Sequence, residues 1–279
     1  MSATKHIVVI GGGIIGCSTA YYLTRHPSFD ATRDTLTLLE PDEIAGAASG
    51  KAGGLVATWA YPRELATLSF TEHASLAAQH GGAERWGYRV VGCGTWEGRG
   101  VEGHEQQQLE GVHDRTRTTT RQAKRKLPED LTWLREDLTK SWSPFSGQTA
   151  QVHPRLFTTA MFELAQERGA KLLKGRAKEV VNVDGGEGTK VVTGVLLEDG
   201  STVPATHVVV AAGPWAPRIG GLPTLPVEAT RAHSITLEPT EPISAHCVFT
   251  EISMPGRGRG TLSAYHQVLR LNLERCSGS

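Results

Sequence analysis

The first forty residues alternate between short apolar runs and one segment with helical periodicity. The run His6–Ile10 predicts a buried strand, and the apolar positions of Ile14–Arg25 recur with the spacing of an α-helix. A second apolar run at residues 36–39 predicts another buried strand. The chain therefore opens on a predicted strand-helix-strand unit with glycines at its first turn.

The rest of the pattern divides into a less regular middle and a strand-rich second half. Predicted helices cover residues 63–79, residues 129–138 and about fifteen residues that follow Gln151. Predicted strands cover residues 88–96, 171–173, 180–183, 191–197, 202–210, 231–237 and 247–252. Because Asp199 and Gly200 form a turn signal, the strands on either side of them predict a hairpin that feeds a buried strand.

The glycines of the first turn have the spacing of a dinucleotide-binding fingerprint. Gly11, Gly13 and Gly16 stand between the first predicted strand and helix in the order G-x-G-x-x-G. The first glycine permits the tight turn, the second lets a pyrophosphate approach the main chain, and the third lets the helix pack on the strand. The N–H groups of Ile14 and Ile15 would then face the phosphates at the positive end of the helix dipole.

An acidic residue and a small-residue segment complete the candidate site. Glu40 follows the second predicted strand, 24 residues after Gly16, near the spacing at which an acid accepts ribose hydroxyls. The alternative is a ligand-free glycine turn followed by an ordinary surface glutamate. Residues 45–55 are too poor in large side chains to build a core, so they form either a linker or a main-chain cradle for a ligand.

Composition limits the partners of the protein. Its 279 residues contain 29 Lys and Arg against 29 Asp and Glu, so no bulk field attracts nucleic acid or an anionic membrane. Small molecules are the expected partners. Residues 115–126 form a basic run without interleaved aromatic residues, which favours a solvated insertion over a nucleic-acid or lipid patch. No apolar segment approaches the roughly 20 residues of a transmembrane helix.

Cysteine and histidine usage predicts a reduced, metal-free protein. The four cysteines are Cys17, Cys93, Cys247 and Cys276, and their spacing fits neither a zinc pattern nor a disulfide framework. With no signal-peptide core before the glycines, we expect reduced thiols packed as small hydrophobes in a cytoplasmic protein. The 11 histidines show no ligand spacing, so no metal site is expected, and His153 is expected to cap a helix or lie on the surface.

Three features of the chain carry a family resemblance. They are the segment GGGIIGCSTAYYL at residues 11–23, Glu40, and the segment ASGKAGG at residues 48–54. Together they resemble the FAD-dependent D-amino-acid oxidase and glycine/sarcosine oxidase superfamily. The stretches LPEDLTWL and WGYRVVGCG are most similar to a fungal branch of it, whose substrates are poorly defined and for which an endosomal sorting role has been proposed.

The resemblance implies FAD as the cofactor and extends the set of site residues. To the fingerprint and Glu40 it adds Ala48, Ser49, Gly53, Gly54, Leu55, Lys178 and Gly213. The segment from Ala48 to Leu55 would wrap the FAD phosphates and the flavin edge, and the main chain at Lys178 would hold the adenine. The strand that leads to Gly213 would pass close to FAD. His233 falls on a strand that runs beside the flavin ring in the family, and we expect a structural role for it.

The implied architecture is an α/β fold of two domains. A Rossmann-like FAD-binding domain carries the G-x-G-x-x-G unit, and a second, mostly antiparallel substrate domain is incomplete. The predicted boundaries are 1–60 and 150–222 for the FAD-binding domain, 61–149 and 223–253 for the substrate and cap domain, and 254–279 for an atypical tail. Because relatives continue with further strands, we expect a C-terminally truncated chain with exposed sheet edges that is a poor or inactive oxidase.

Two functions from different classes remain open. The first is an FAD-dependent oxidoreductase that oxidises a CH–NH bond of a small amine or amino acid by hydride transfer to flavin, with O₂ as acceptor. The second is a catalytically impaired flavoprotein with a trafficking or scaffolding role such as endosomal sorting. An NAD-dependent dehydrogenase fits less well, because it gives residues 45–55 and 208–213 no common role in binding the cofactor. Since the flavin supplies the chemistry in the family, no catalytic side chain is assigned.

Overall fold

A computed structural model of the protein describes residues 3–100, 127–235, 237, 239–253 and 262–267, the last range by its main chain alone. The chain divides into two compact units. The first unit comprises Met1–Ala52 and His153–Ser234, and the second comprises Gly53–Val152 and Ile235–Ser279. The predicted α/β class is confirmed, and the chain passes between the units after residues 52, 152 and 234.

A parallel sheet forms the centre of the first unit. Its strands are β1 (His6–Ile10), β2 (Thr35–Glu40), β8 (Ala170–Lys174) and β12 (His207–Val210). They lie in the order β12-β1-β2-β8, and every neighbouring pair is parallel. Val8 and Val9 of β1 are 1% and 0% exposed, which is typical of the continuous apolar runs found in strands covered on both faces.

Two helices of the first unit pack against each other. They are α1 (Ile14–Arg25), as predicted, and α5 (Pro154–Gln166), which is 13 residues long. Arg25 joins them, because its Nη1 donates to the carbonyl oxygen of Leu164 at 3.1 Å. A proline suits the first turn of α5, since its φ is already helical and its missing N–H has no acceptor there.

A smaller antiparallel sheet packs on the parallel sheet of the first unit. Its strands are β9 (Ala177–Gly186), β10 (Thr189–Leu197) and β11 (Thr202–Pro204), in the order β11-β10-β9. The predicted hairpin is confirmed, and Asp199 Oδ1 holds its turn by accepting the Ser201 N–H at 2.9 Å. The single strand predicted at residues 202–210 is wrong, because only β11 pairs with β10 and β12 belongs to the parallel sheet. Val195 of β10 is fully buried in the same apolar cluster as Val8 of β1.

The second unit contains two sheets. One consists of β3 (Leu55–Ala57), β4 (Arg89–Val90) and β7 (Thr149–Gln151), in the order β3-β7-β4. The other consists of β5 (Gly92–Arg99), β6 (Thr139–Pro144), β13 (His246–Ser253) and β14 (Leu262–Gln267), in the order β14-β13-β5-β6. Strands β5 and β13 are parallel, and the other neighbouring pairs of both sheets are antiparallel. The mostly antiparallel second domain is thus confirmed.

Three further α-helices are described. They are α2 (Ala48–Lys51) in the first unit and α3 (Arg63–His80) and α4 (Gly82–Trp86) in the second. The predicted helix at residues 63–79 matches α3. Within the part of the chain that the structure describes, no helix is both long and apolar enough to cross a bilayer.

The expectation of an exposed edge at residues 247–252 is wrong. These residues lie inside β13, which pairs with β5 on one side and with β14 on the other. The sequence of β14 falls in the segment predicted to be an atypical tail, and it pairs antiparallel with Thr250 opposite Ala264 and Ile252 opposite Leu262. The remainder of that tail, 254–261 and 268–279, lies outside the described residues, as does the basic run 115–126.

Two predicted elements are not formed. In place of the helix at residues 129–138 the chain makes turns, in which Leu131 N–H donates to the Pro128 carbonyl, and a 3₁₀ helix at Glu136–Leu138. These turns bury Leu131 at 2% exposure, so packing and local hydrogen bonds override the helical spacing. In place of the strand at residues 231–237, the described residues are irregular, with Ile235 82% exposed and no described strand to pair with.

Candidate functional site

The carboxyl ends of three parallel strands bring predicted site residues to one edge of the first sheet. Strand β1 runs into Gly11, β2 ends at Glu40, and β12 leads through Ala211 to Gly213. Ala211 N–H donates to the carbonyl oxygen of Ile10 at 2.8 Å, which continues the β1–β12 ladder into the turn. Open parallel α/β sheets bind their ligands outside this edge.

Two fingerprint glycines are required by the main chain of the protein itself. Gly11 has φ of +113°, a value that favours glycine, and a Cβ there would overlap the carbonyl oxygen of Ala211. A Cβ at Gly16 would overlap the carbonyl oxygen of Gly11. These glycines therefore let β1, the turn and α1 approach one another closely, as the fingerprint predicts.

The middle glycine of the fingerprint borders open space instead. Among the described residues, a Cβ at Gly13 would meet only the side chain of Ser49, with Oγ at 3.1 Å and Cβ at 4.0 Å. Main-chain packing therefore does not explain this glycine. A pyrophosphate lying against the turn does explain it, because a side chain here would fill the space that the phosphates need.

The first turn of α1 provides hydrogen-bond donors beside this space. Gly13 is the N-cap and offers no capping side chain. The Ile14 N–H, which the sequence predicts to face the phosphates, instead donates to Ser49 Oγ at 2.9 Å. The N–H of Ile15 lies in the first turn, where the helix itself supplies no acceptor. Its side chain is 67% exposed, so the turn is open to solvent. An anion is favoured at this position by the donors and by the helix dipole.

Glu40 is held at the edge of the same turn. Its Oε2 accepts the Gly12 N–H at 2.7 Å, and its Oε1 accepts the Asp42 N–H at 3.0 Å. Each carboxylate oxygen has a second acceptor position, so the fixed carboxylate can also accept a hydroxyl. This geometry fits the ribose role that the sequence predicts for Glu40.

The Cys17 thiol, which lies under the glycine turn, is unreactive at neutral pH. Cys17 is fully buried and its Sγ donates to the carbonyl oxygen of Gly12 at 3.4 Å. Burial, followed by the negative charge of Glu40, raises the pKa of Cys17 to about 12. The thiol therefore stays protonated at neutral pH and packs as a small apolar group, as the sequence predicts.

The small-residue segment folds back onto the glycine turn. Ala45 N–H donates to the carbonyl oxygen of Gly12 at 2.9 Å, and α2 then carries Ala48 and Ser49. Ala45 has φ of +60°, a left-handed value that is uncommon for alanine, and sequence reasoning missed it because no glycine or asparagine marks the position. Residues 45–52 of the segment thus fold onto the turn in the first unit, and residues 53–55 belong to the second unit.

Two predicted residues of the first unit lie farther along the chain. Gly213 has φ of +53° and begins a 3₁₀ helix, Gly213–Arg218, with nothing described within 4 Å of a Cβ built on it. Lys178 lies in β9 with its side chain exposed, and its carbonyl oxygen accepts the Gly220 N–H at 2.9 Å. The predicted adenine contact at Lys178 therefore has its carbonyl already engaged, and it stays a prediction.

The last three predicted residues belong to the second unit. Gly53 and Gly54 precede β3, and Leu55 is its first residue. Gly54 has φ of +78°, and its carbonyl oxygen accepts the Val152 N–H at 2.9 Å. Leu55 packs against the apolar cluster around Cys93. Their predicted role at the flavin edge stays a prediction.

The two histidines considered from the sequence, His153 and His233, have different positions in the structure. His153 is the N-cap of α5, and its Nδ1 accepts the Leu156 N–H at 3.3 Å, so the predicted capping role is confirmed. His233 lies in an exposed irregular segment and not on the expected strand. Within the described ranges, no cluster of three His, Cys, Asp or Glu side chains is placed to hold a metal ion.

The parallel sheet, the open glycine turn and the acid at the end of β2 define a dinucleotide-binding protein. The family model described as DAO, FAD dependent oxidoreductase, matches residues 6–262, and the chain belongs to this family. FAD is accordingly the cofactor, and the space at Gly13, the α1 donors and Glu40 fit its pyrophosphate and ribose.

Similar proteins occur in two yeasts. The oxidoreductase homologue C1F5.03c of Schizosaccharomyces pombe is 33% identical over 284 residues, covering 95% of this chain and 67% of its own length. The homologue TDA3 of Saccharomyces cerevisiae is 28% identical over 366 residues, covering 91% of this chain and 70% of its own length. Neither name states a substrate.

Solved structures share the fold. Glycine oxidase from Bacillus cereus has a TM-score of 0.53 at 22% identity, over 77% of this chain and 58% of its own. Fructosamine oxidase from Aspergillus fumigatus has a TM-score of 0.53 at 18% identity, over 79% of this chain and 51% of its own. The chain thus spans little more than half of the length of these enzymes.

Proposed function

We propose that this protein oxidises a CH–NH bond of a small amine or amino acid, with FAD as the hydride acceptor and O₂ as the final acceptor. The observation that carries the cofactor part is the open space at Gly13, beside the first turn of α1 where the Ile15 N–H lies. The substrate class is supported by the names of similar structures, which include oxidases of glycine and of iminodiacetate and a deaminase of L-amino acids.

The residues of the first unit have separate roles in this proposal. The N–H groups at Gly13 and Ile15 bind the pyrophosphate, and the Glu40 carboxylate accepts a ribose hydroxyl. Ser49 fixes the Ile14 N–H and so positions the first turn of α1. When bound, FAD supplies the redox chemistry by accepting a hydride from the substrate carbon.

The proposal is tested by absorbance and by peroxide release. The purified protein should carry flavin in a near one-to-one ratio. It should release hydrogen peroxide with glycine, sarcosine or a member of a panel of D-amino acids, at the low rate expected of a poor oxidase. A Gly13→Leu variant should retain no flavin, because its side chain occupies the space of the pyrophosphate. Thr19→Leu, on the same helix but outside the turn, is the matched control and should keep the flavin.

The outcomes separate the parts of the proposal. Flavin retained equally by Gly13→Leu and by the parent would remove the cofactor site from this turn. Flavin that is bound but not reduced by any amine under anaerobic conditions would remove the substrate class. Reduction without peroxide release in air would remove O₂ as acceptor. The alternative trafficking or scaffolding role has no supporting feature in the described residues and stays a prediction of the resemblance.

A further inference from the structure

Two cysteines that are far apart in sequence lie side by side in the second unit. Strands β5 and β13 are parallel, and their register places Cys93 directly opposite Cys247. Both are free thiols, 9% and 5% exposed, in one apolar cluster with Val91. Neighbouring strands are about 4.8 Å apart, and disulfides join Cα atoms at roughly 4.4–6.8 Å. The spacing of the pair therefore lies within the range that a disulfide spans.

The two thiols are chemically unequal. The neighbours that change the pKa of the Cys93 thiol are Cys247, which has the largest effect, the Thr149 hydroxyl and the Gly94 N–H. These donors lower the pKa of Cys93 although burial opposes them. The hydrogen bond to Cys93, together with burial, raises the pKa of Cys247. Cys93 is thus the better nucleophile, and Cys247 is the proton donor beside it.

A short chain of hydrogen bonds fixes one of these donors. Trp59 Nε1 donates to Thr149 Oγ1 at 2.9 Å, so the hydroxyl keeps its own hydrogen for another acceptor, and it lowers the pKa of Cys93. The Trp59 ring stacks on Phe145 at 4.4 Å between centroids, and both rings contact Phe249 edge-on. The hydroxyl is therefore held in place by rigid aromatic neighbours in an otherwise apolar cluster.

We propose that Cys93 and Cys247 form a redox-active dithiol, which a hydroperoxide oxidises to a disulfide across β5 and β13. The Cys93 thiolate attacks one peroxide oxygen, the O–O bond breaks, and the leaving hydroxide takes the proton of Cys247. The Cys247 thiolate then attacks the sulfenic sulfur of Cys93, and the S–O bond breaks. The second hydroxide takes up the proton that Cys93 had released. Two thiols and one hydrogen peroxide thus give one disulfide and two waters.

The inference does not depend on the proposed function, because the peroxide is added as a reagent. The reduced full-length protein is exposed to hydrogen peroxide, its remaining thiols are alkylated, and it is digested without reduction for mass spectrometry. The protein should lose two of its four thiols, and one linked pair of peptides should contain Cys93 and Cys247. A thiol reductant should restore both thiols, and a non-reducing gel should show that the link lies within one chain.

Two single variants resolve the order of events. Cys247→Ser should accumulate a sulfenic acid at Cys93 that a dimedone probe traps, whereas the matched Cys93→Ser variant should give no trapping at residue 247. The wild-type peptide map stands by itself if a variant fails to fold. A disulfide that involves Cys17 or Cys276 would overturn the proposal. So would a link between two chains, or four intact thiols at a peroxide excess that oxidises free cysteine.

Discussion

Two regions each place several hydrogen-bond donors next to one acceptor site. They are the glycine turn of the first unit, at Gly11–Gly16, and the pair of β5 and β13 in the second unit, here called the dithiol ladder, which holds Cys93 and Cys247. In the turn, the proposed donors are the main-chain N–H groups of Gly13 and Ile15 at the start of α1, and the proposed target is an external anion in the space beside Gly13. In the ladder, the donors come from Gly94, Thr149 and Cys247, and their target is a side chain of the protein, Cys93. Donors that are close in sequence thus form the proposed anion site, whereas donors from distant parts of the chain act on the Cys93 thiol.

The thiols of the two regions show the chemical side of this difference. Both Cys17 and Cys93 are buried, but the pKa of Cys17 is raised to about 12 and that of Cys93 is lowered. Cys17 donates its own hydrogen to a carbonyl, whereas Cys93 receives hydrogen bonds. Burial alone therefore does not decide the reactivity of a thiol, because the direction of its hydrogen bonds can reverse the effect.

The largest expected effect comes from breaking the turn. Gly16→Ala places a Cβ onto the carbonyl oxygen of Gly11, a rigid main-chain atom, so we expect a loss of stability on the order of 3 kcal/mol. Thermal and urea unfolding measure it. Gly13→Ala is the matched control, because its Cβ meets a movable hydroxyl instead. Equal stability of the two variants would show that the turn does not need the close approach at Gly16.

The next effect concerns a third place where donors converge, this time on a permanent anion of the protein. The carboxylate of Asp34 is buried and accepts four hydrogen bonds. Two come from the main-chain N–H groups of Lys5 and Asp30, and two come from Nε and Nη2 of the Arg33 guanidinium. The Arg33 guanidinium, helped by the two main-chain donors, holds the pKa of Asp34 far below its usual range. Asp34→Asn should therefore destabilise the protein at neutral pH.

The pH dependence of this variant has a definite sign. A carboxyl whose pKa is lowered in the folded state contributes stability above its unfolded pKa of about 3.9, and it loses that contribution as the pH falls. The difference in unfolding free energy between parent and Asp34→Asn should thus be constant near pH 7 and shrink below about pH 4. Urea unfolding at several pH values measures it. A difference that grows in acid would contradict the assignment.

A smaller effect is expected at the acid beside the turn. Glu40→Ala removes the proposed acceptor of the ribose hydroxyl, so we expect FAD binding to weaken by about 1–3 kcal/mol. Titration of the apoprotein with FAD, followed by flavin fluorescence, measures the change. Glu43→Ala is the matched control, because that acid is exposed and its ion pair with Arg155, at 3.1 Å, is a solvent-exposed one that contributes little. Equal losses of FAD affinity in both variants would show that removal of any nearby negative charge weakens binding, and would contradict a specific contact of Glu40 with the ribose.

The smallest expected effect tests the Thr149 hydroxyl, one of the groups that lower the pKa of Cys93. Thr149→Val keeps the side-chain shape but removes the hydroxyl that donates to Cys93. Loss of about 1 kcal/mol of thiolate stabilisation should slow alkylation of Cys93 about fivefold at neutral pH. Peptide mapping after a timed iodoacetamide pulse measures the rate, with Cys17 as the internal reference that stays unlabelled. Unchanged labelling of Cys93 would show that the hydroxyl does not control this thiol.

Sequence reasoning succeeded where the determinants are contiguous. The strand, turn and helix from His6 to Arg25 contain their own apolar periodicity and glycines, so both the element and the site residues follow from local pattern. The pairing of Cys93 with Cys247 could not be read in this way, because it depends on the register of two strands 154 residues apart. The turns at residues 129–138 were missed because packing of Leu131 overrides helical spacing.

The parallel sheet of the first unit also has a consequence for synthesis of the chain. Strand β1 pairs with β2 early, but its other neighbour is β12, with Ile7 opposite His207. At about 5–20 residues per second, roughly 10–40 s of translation separate the two strands. During that time one edge of β1, in which four of the five residues are apolar, has no partner from its own chain and is a template for other chains. Yield in cells should therefore depend on how well nascent β1 is shielded until β12 leaves the ribosome.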